Sequence, residues 1–218
     1  MIFMANTTDI NIPKRKAIKS KYSQPFIEYE MVLNSDYAQK LFERSADVVA
    51  TAYFHLDMIM PNAYPEWVHE INELDTVVDE ELNKVFVDLN DEIARLKSMV
   101  HNSQLEIDNN DFPVYTKEQR EIIQIGSPKY ARFIKLIELF DDFVLHIDAL
   151  WLHAIIGQSS RRSQTQNWQS RILKLANRTI DRQKRLRASI LVNTKDDALD
   201  NLDVDADTDD YPSVRNSA

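Results

Sequence analysis

The sequence predicts a mainly α-helical fold carrying a short β-ribbon. Three observations predict it. Only two glycines occur in 218 residues, Gly126 and Gly157, whereas an all-β chain needs glycine at the positive-φ positions of its hairpins. Long stretches repeat their apolar residues at helical spacing, and one short stretch, 25–34, alternates at the two-residue period of a half-buried strand. The same scarcity of glycine excludes a P-loop or a dinucleotide-binding turn, both of which need several glycines for close backbone approach to phosphate.

The elements follow in order. Residues 1–24 read as a flexible basic arm. In 25–34, Ile27, Tyr29, Met31 and Leu33 alternate with Glu28, Glu30, Val32 and Asn34. Asn34-Ser35-Asp36 then offers helix caps. One helix is expected through YAQKLFERS and a second from Asp47 through VVATAYFHLDMIM, ended by Pro61 and Pro65. From Trp67 to Val100 the apolar residues Trp67, Ile71, Leu74, Val78, Leu82, Val85, Leu89, Ile93, Leu96 and Val100 repeat at 4-3-4 spacing. That is a period of about 3.67 residues per turn, which keeps the stripe on one side of a straight helix roughly 50 Å long. Such a stripe fits domain core better than a coiled-coil seam, which favours sevens.

Residues 101–125 interrupt the helices. Leu105 and Ile107 alternate before Asn109-Asn110, and Ile122, Ile123 and Ile125 suggest a short strand before Gly126, so a second hairpin is expected here. The next helix has Ser127 as cap, Pro128 in its first turn and Gly157 as its stop. Phe133, Leu136, Phe140, Phe143, Ile147 and Leu150 give it a broad apolar face, that of a central core helix. QSSRRSQTQ reads as a polar linker. NWQSRILKLANRTIDRQKRLRASIL then reads as a basic amphipathic helix, and the Asp-rich end as disordered.

Charge is sorted along the chain. The net charge is -9. Residues 1–22 carry Lys14, Arg15, Lys16, Lys19 and Lys21 against Asp9; residues 157–190 carry nine Lys or Arg against Asp181; residues 196–210 carry eight Asp and no base. Basic segments on an acidic body can touch a polyanion while the body repels it. Solubilising tails are the plainer alternative. There are no cysteines, which removes disulfides, thiolate metal sites and thiol catalysis together. No apolar run reaches the roughly 18 residues of a membrane span, so a soluble cytoplasmic protein is expected.

Candidate chemistry is sparse. His146 and His153 lie two turns apart, with Asp142 one turn before His146. A histidine satisfied by that aspartate is the simpler reading than a metal site. The adjacent pairs Asp141-Asp142 and Glu80-Glu81 diverge on a helix and read as solvated surface. No serine-nucleophile motif occurs. The expectation is a protein that is not an enzyme and takes no cofactor or metal.

A strand followed by two short helices is the order of a ribbon-helix-helix element, in which two chains pair their strands into one ribbon that enters the DNA major groove. An edge hairpin feeding a helical core fits the same pattern. The chain then divides into a flexible basic arm (1–24), a ribbon-helix-helix-like DNA-binding element (25–60), a helical body with a short hairpin (61–157), a basic linker and helix (158–190) and a disordered acidic tail (191–218).

The runs IEYEMVLNSDYAQKLFERS, YPEWVHEINEL and DFPVYTKEQREIIQIGSPKYARFIKLIELFDDFVLHIDALWL resemble the AcaB-type family encoded by conjugative plasmids and integrative conjugative elements. The shared features are an AQ-x-LF helix after a strand, a Tyr-x-x-Trp helix start and a Pro-Val strand leading to an aromatic-rich helix, over about residues 25–190. The resemblance implies a transcriptional activator of conjugation genes that binds promoter DNA as a homodimer, with RNA polymerase or another regulator as a further partner. It places Glu28, Glu30 and Val32 outward as base-reading residues and Tyr29, Met31 and Leu33 at a dimer interface. Such ribbons usually present Arg, Lys, Asn, Gln or Thr. Glutamate can accept from cytosine N4 but repels phosphate. The phosphate contacts are therefore expected from Lys14, Arg15, Lys16, Lys19 and Lys21, with Arg161, Arg162, Arg171 and Lys174 as a second basic surface. The alternative from another class is a helical adaptor or scaffold of a plasmid transfer system that binds no DNA.

Overall fold

The structure is a computed structural model that describes residues 25–102 and 113–204, with side chains at 25–100 and 113–193. The arm lies outside the described residues, as do Leu105, Ile107, Asn109 and Asn110 of the expected second hairpin.

Strand β1 (Ile27–Leu33) alternates as expected, with Met31 and Leu33 fully buried and Glu28 and Glu30 exposed. A strand must satisfy its backbone groups on a neighbour. The neighbour is strand β2 (Gln119–Ile125) of the same chain, antiparallel, with Ile27 opposite Ile125 and Leu33 opposite Gln119. The strand expected before Gly126 thus pairs back to β1, giving one two-stranded sheet among the described residues.

Ser35 caps helix α1 (Asp36–Phe54), its hydroxyl oxygen accepting from the Ala38 N–H. Where two helices were expected, α1 runs unbroken. Nothing between Arg44 and Asp47 breaks a helix: the Ser45 hydroxyl donates to the Leu41 carbonyl at 2.7 Å, and Ala46 is buried. The strand, helix, second helix order of 25–60 is therefore strand and one long helix. A π turn (His55–Ile59) and the short α2 (Met60–Ala63) close this segment.

Helix α3 (Val68–Asn102) buries its stripe as anticipated: Ile71, Val78, Leu82, Val85, Leu89, Ile93 and Leu96 are all in the core. Helix α4 (Pro128–Leu152) is central, packing against α1, α3 and the helix that follows, and it carries the ribbon. Phe133, Leu136, Ile137, Phe140, Phe143, Val144, Ile147 and Leu150 are fully buried, each contributing about 1.5–3 kcal/mol. Ser127 caps α4 as expected. Gly157 does not stop it. The turn is made by Ala154 at φ 57°, with the Ile155 N–H donating to the Leu150 carbonyl and the Ala154 N–H to the Trp151 carbonyl. This six-to-one and five-to-two pattern is a Schellman cap, in which glycine usually takes the left-handed position.

Helix α5 (Gln158–Val204) is a single helix of 47 residues. It replaces both the expected linker at 158–166 and the disordered start of the tail. Its sequence holds no glycine or proline, and extending a helix costs far less than starting one. Thr165, in the expected linker, is 1% exposed, and its hydroxyl donates to the Arg161 carbonyl. Ile172, Leu175, Ala176, Thr179 and Ile190 dock the helix onto the body. Among the described residues no helix is long and apolar enough to cross a membrane.

Candidate nucleic-acid interface

The ribbon has two chemically distinct faces, fixed by the period of the strand. Inward, Met31, Leu33 and Ile123 join the core, and Tyr29 and Ile125 pack at its edge. The Tyr29 hydroxyl donates to Glu138 at 2.7 Å and accepts from Lys135, whose ammonium also lies 4.4 Å from the ring centre. Burial, ahead of these partners, pushes the Tyr29 hydroxyl pKa up. Tyr29, Met31 and Leu33, expected at a dimer interface, therefore face this chain's own core. An aspartate at Met31 or Leu33 would break the fold before it reported on dimerisation.

Outward, β1 presents Glu28, Glu30 and Val32, and the register sets Gln124, Ile122 and Arg120 directly opposite them. The exposed Arg120 donates to Glu118 at 2.7 Å and lies 3.8 Å from Glu30. The Gln124 side-chain oxygen is buried without a hydrogen-bond partner. Arg120 and Gln124 are missed when β2 is read from its isoleucines alone, and Ile122 is then taken only as a strand former. Their signal is present in the alternation Arg120, Ile122, Gln124, but its meaning depends on the pairing with β1, which is 86 or more residues away.

Asp141 anchors the ribbon to the body. It is 5% exposed, and its carboxylate accepts from the backbone N–H groups of Asn34 and Ser35, both at 2.8 Å, and from the Asn34 amide at 3.0 Å. This overturns its reading as solvated surface; a buried carboxylate is tolerated because three donors satisfy it. A second anchor joins the π turn to α4. Asp57 accepts from the Ser127 hydroxyl and from Lys129, and Lys129 also meets Asp75 at 2.6 Å.

Half of the second expected basic surface is spent on the body. Arg161 forms two hydrogen bonds to Asp148, which is 6% exposed, and lies 4.5 Å from the Trp151 ring centre. Arg171 pairs with Asp88 and stacks on Trp168. Arg182 and Arg178 share Glu81. Arg162 and Lys174 are set on α5, with the Arg162 and Lys174 side chains turned partly to solvent. Lys14, Arg15, Lys16, Lys19 and Lys21 lie outside the described residues.

His146 is 5% exposed, with Nδ1 at 2.7 Å from the Asp142 carbonyl and 3.4 Å from its carboxylate. The hydrogen bond with His146 is the main reason the Asp142 carboxyl sits below its ordinary range. The simpler reading of this histidine is the observed one.

No protein-family model matches the chain, and no curated protein does. Among solved structures, selenomethionine-containing AcaB from uropathogenic E. coli is similar, with a TM-score of 0.73 at 32% sequence identity over 79% of this chain and 86% of that one. The Cα trace and the sequence agree over most of that protein, and the chain belongs to the AcaB family.

Proposed function

We propose that the protein is a sequence-specific DNA-binding transcriptional regulator, an activator of conjugative transfer genes, and that it reads DNA with the β1–β2 ribbon of one chain. The observation that carries this reading is the outward face of the ribbon. A two-stranded antiparallel ribbon is narrow enough to enter the major groove. Its outer face offers Arg120 and Gln124, whose side chains match guanine and adenine edges, beside Glu28 and Glu30, which can accept from cytosine N4. Val32 and Ile122 give apolar contact for a thymine methyl. On rotating outward, the Gln124 amide would gain for its oxygen the partner it now lacks. The ribbon is held rigidly on α4 by Asp141, as a base-reading element should be.

The ribbon face is not itself strongly basic, since Glu28, Glu30 and Glu118 outnumber Arg120. Phosphate affinity then falls to Lys14, Arg15, Lys16, Lys19 and Lys21 of the arm and to Arg162 and Lys174, with RNA polymerase or another regulator as a further partner. The second reading, a helical adaptor of a transfer system, is favoured by the pairing of Arg161, Arg171 and Arg182 with body carboxylates. A genome-wide map of bound DNA in a host carrying the element, followed by titration of the recovered fragments against random DNA, separates them. Enrichment of one motif upstream of transfer genes, bound at least about 1,000-fold tighter than random DNA, is the expected outcome. Absence of any enriched motif leaves the adaptor.

A further inference from the structure

Helices α1 and α5 lie side by side and leave a groove of about 500 Å³ between them. Val48 and Ala52 of α1 and Ile180, Ala188 and Leu191 of α5 make it apolar. From Ile180 to Leu191 the wall is roughly 16 Å long, three turns of helix. Val48 is 48% exposed and Leu191 41%, so apolar side chains stand open to water on both walls. The groove also takes in His55, where the π turn begins. A single π turn is rare, and such turns are frequent at functional sites.

The two rims differ in charge. Lys184 and Arg187 stand exposed on the α5 side. Elsewhere on the same helix Arg161, Arg171 and Arg182 pair with Asp148, Asp88 and Glu81 of the body. Lys184 and Arg187 have no such carboxylate among the described residues. Asp47 stands on the α1 side. A phosphate backbone fits this groove poorly, because Asp47 repels it and Val48 and Leu191 offer it nothing. A helix of three turns fits each feature. Its apolar residues at 4-3-4 spacing would fill the trough, and carboxylates along one flank would meet Lys184 and Arg187.

We propose that the α1–α5 groove docks an acidic amphipathic helix of a partner protein. The groove shares no residue with the ribbon, so the contact is independent of what the ribbon binds. The probe is a fluorescent peptide of about 14 residues, built of Ala, Leu and Glu and cross-linked on its outer face to hold the helix. Titrated with the full chain, it should bind with a dissociation constant of about 10–100 μM. The same peptide with Lys for Glu should bind at least about tenfold more weakly. Val48→Asn should weaken the acidic peptide severalfold. Lys184→Glu with Arg187→Glu, both at exposed positions, should leave the helical circular dichroism unchanged and reverse the preference between the two peptides. No binding at about 1 mM, equal binding of both peptides, or a preference that the two reversals leave unchanged overturns the proposal. So does a different occupant. Reversals that weaken random DNA but not the acidic peptide would give the groove to nucleic acid. Self-association that the reversals abolish, with no peptide bound, would give it to a second copy.

Discussion

Arg161 separates two roles that the sequence alone cannot distinguish, a phosphate contact and a structural tie. In the structure its guanidinium makes two hydrogen bonds to Asp148, at 2.5 and 3.0 Å, and Asp148 also accepts from the Tyr115 hydroxyl at 3.0 Å. The Asp148 side chain is 8% exposed and that of Arg161 20%. Arg161→Ala leaves this carboxylate buried with one hydroxyl donor. Stranding one member of a buried pair costs about 3–5 kcal/mol. The arginine side is open to water and Tyr115 remains, which lowers the cost, while removal of the cation–π stacking on Trp151 adds about 0.5–1 kcal/mol. A net destabilisation of about 3 kcal/mol is expected. In urea, with a slope of about 2 kcal/mol per molar, the unfolding midpoint should fall by about 1.5 M at unchanged slope. Arg161→Lys should cost less, because it keeps the charge without the planar fork. Arg161→Met combined with Asp148→Leu should also cost less than Arg161→Ala, because no charge is stranded. If Arg161→Ala unfolds within about 0.5 kcal/mol of the parent but binds DNA weakly, the structural assignment fails.

Three further outcomes are expected. Ala154→Gly relieves the left-handed strain at the end of α4 and should raise stability by about 0.5–1 kcal/mol, read as a higher thermal midpoint. Burial raises the hydroxyl pKa values of Tyr53 and Tyr115 above the ordinary 10.0. Above that pH the unfolded chain gives up protons that the folded chain keeps. The contribution of these two hydroxyls should therefore be flat to about pH 9 and fall as pH rises past about 10, with tyrosinate absorbance appearing together with unfolding. Replacing Lys14, Arg15, Lys16, Lys19 and Lys21 by Ala should flatten the dependence of log affinity on log salt by up to about 0.9 for each phosphate left without its cation; an unchanged slope would assign the phosphates to Arg162 and Lys174.

What was legible in the sequence was periodic and local. The α3 stripe from Ile71 to Leu96, the Ser127 cap and the alternation of 27–33 each depend on neighbours within a turn or two. What was not legible depends on distant partners. The pairing of β1 with β2 joins Leu33 to Gln119 and turns an expected intermolecular face into core. Asp141 looks like surface until the Asn34 and Ser35 amides are placed against it. Arg161, Arg171, Arg178 and Arg182 of α5 look free until Asp88, Asp148 and Glu81 arrive from α3 and α4. The helix ends differ from expectation in one consistent way. Gly157 draws attention as the stop that Ala154 makes, and the polar composition of 158–166 resembles a linker although no residue there breaks a helix.

The central claim is that one chain's ribbon reads bases. Its most direct test compares the parent with the double variant Arg120→Ala, Gln124→Ala on the enriched motif and on random DNA at one salt concentration. Removing two base-reading side chains should cost about 1–3 kcal/mol each, which is roughly 30-fold or more on the motif, while random DNA, held by charge, should weaken only severalfold through removal of the Arg120 charge. Equal weakening on both DNAs, or an unchanged preference for the motif, would contradict the account and place sequence recognition elsewhere in the chain.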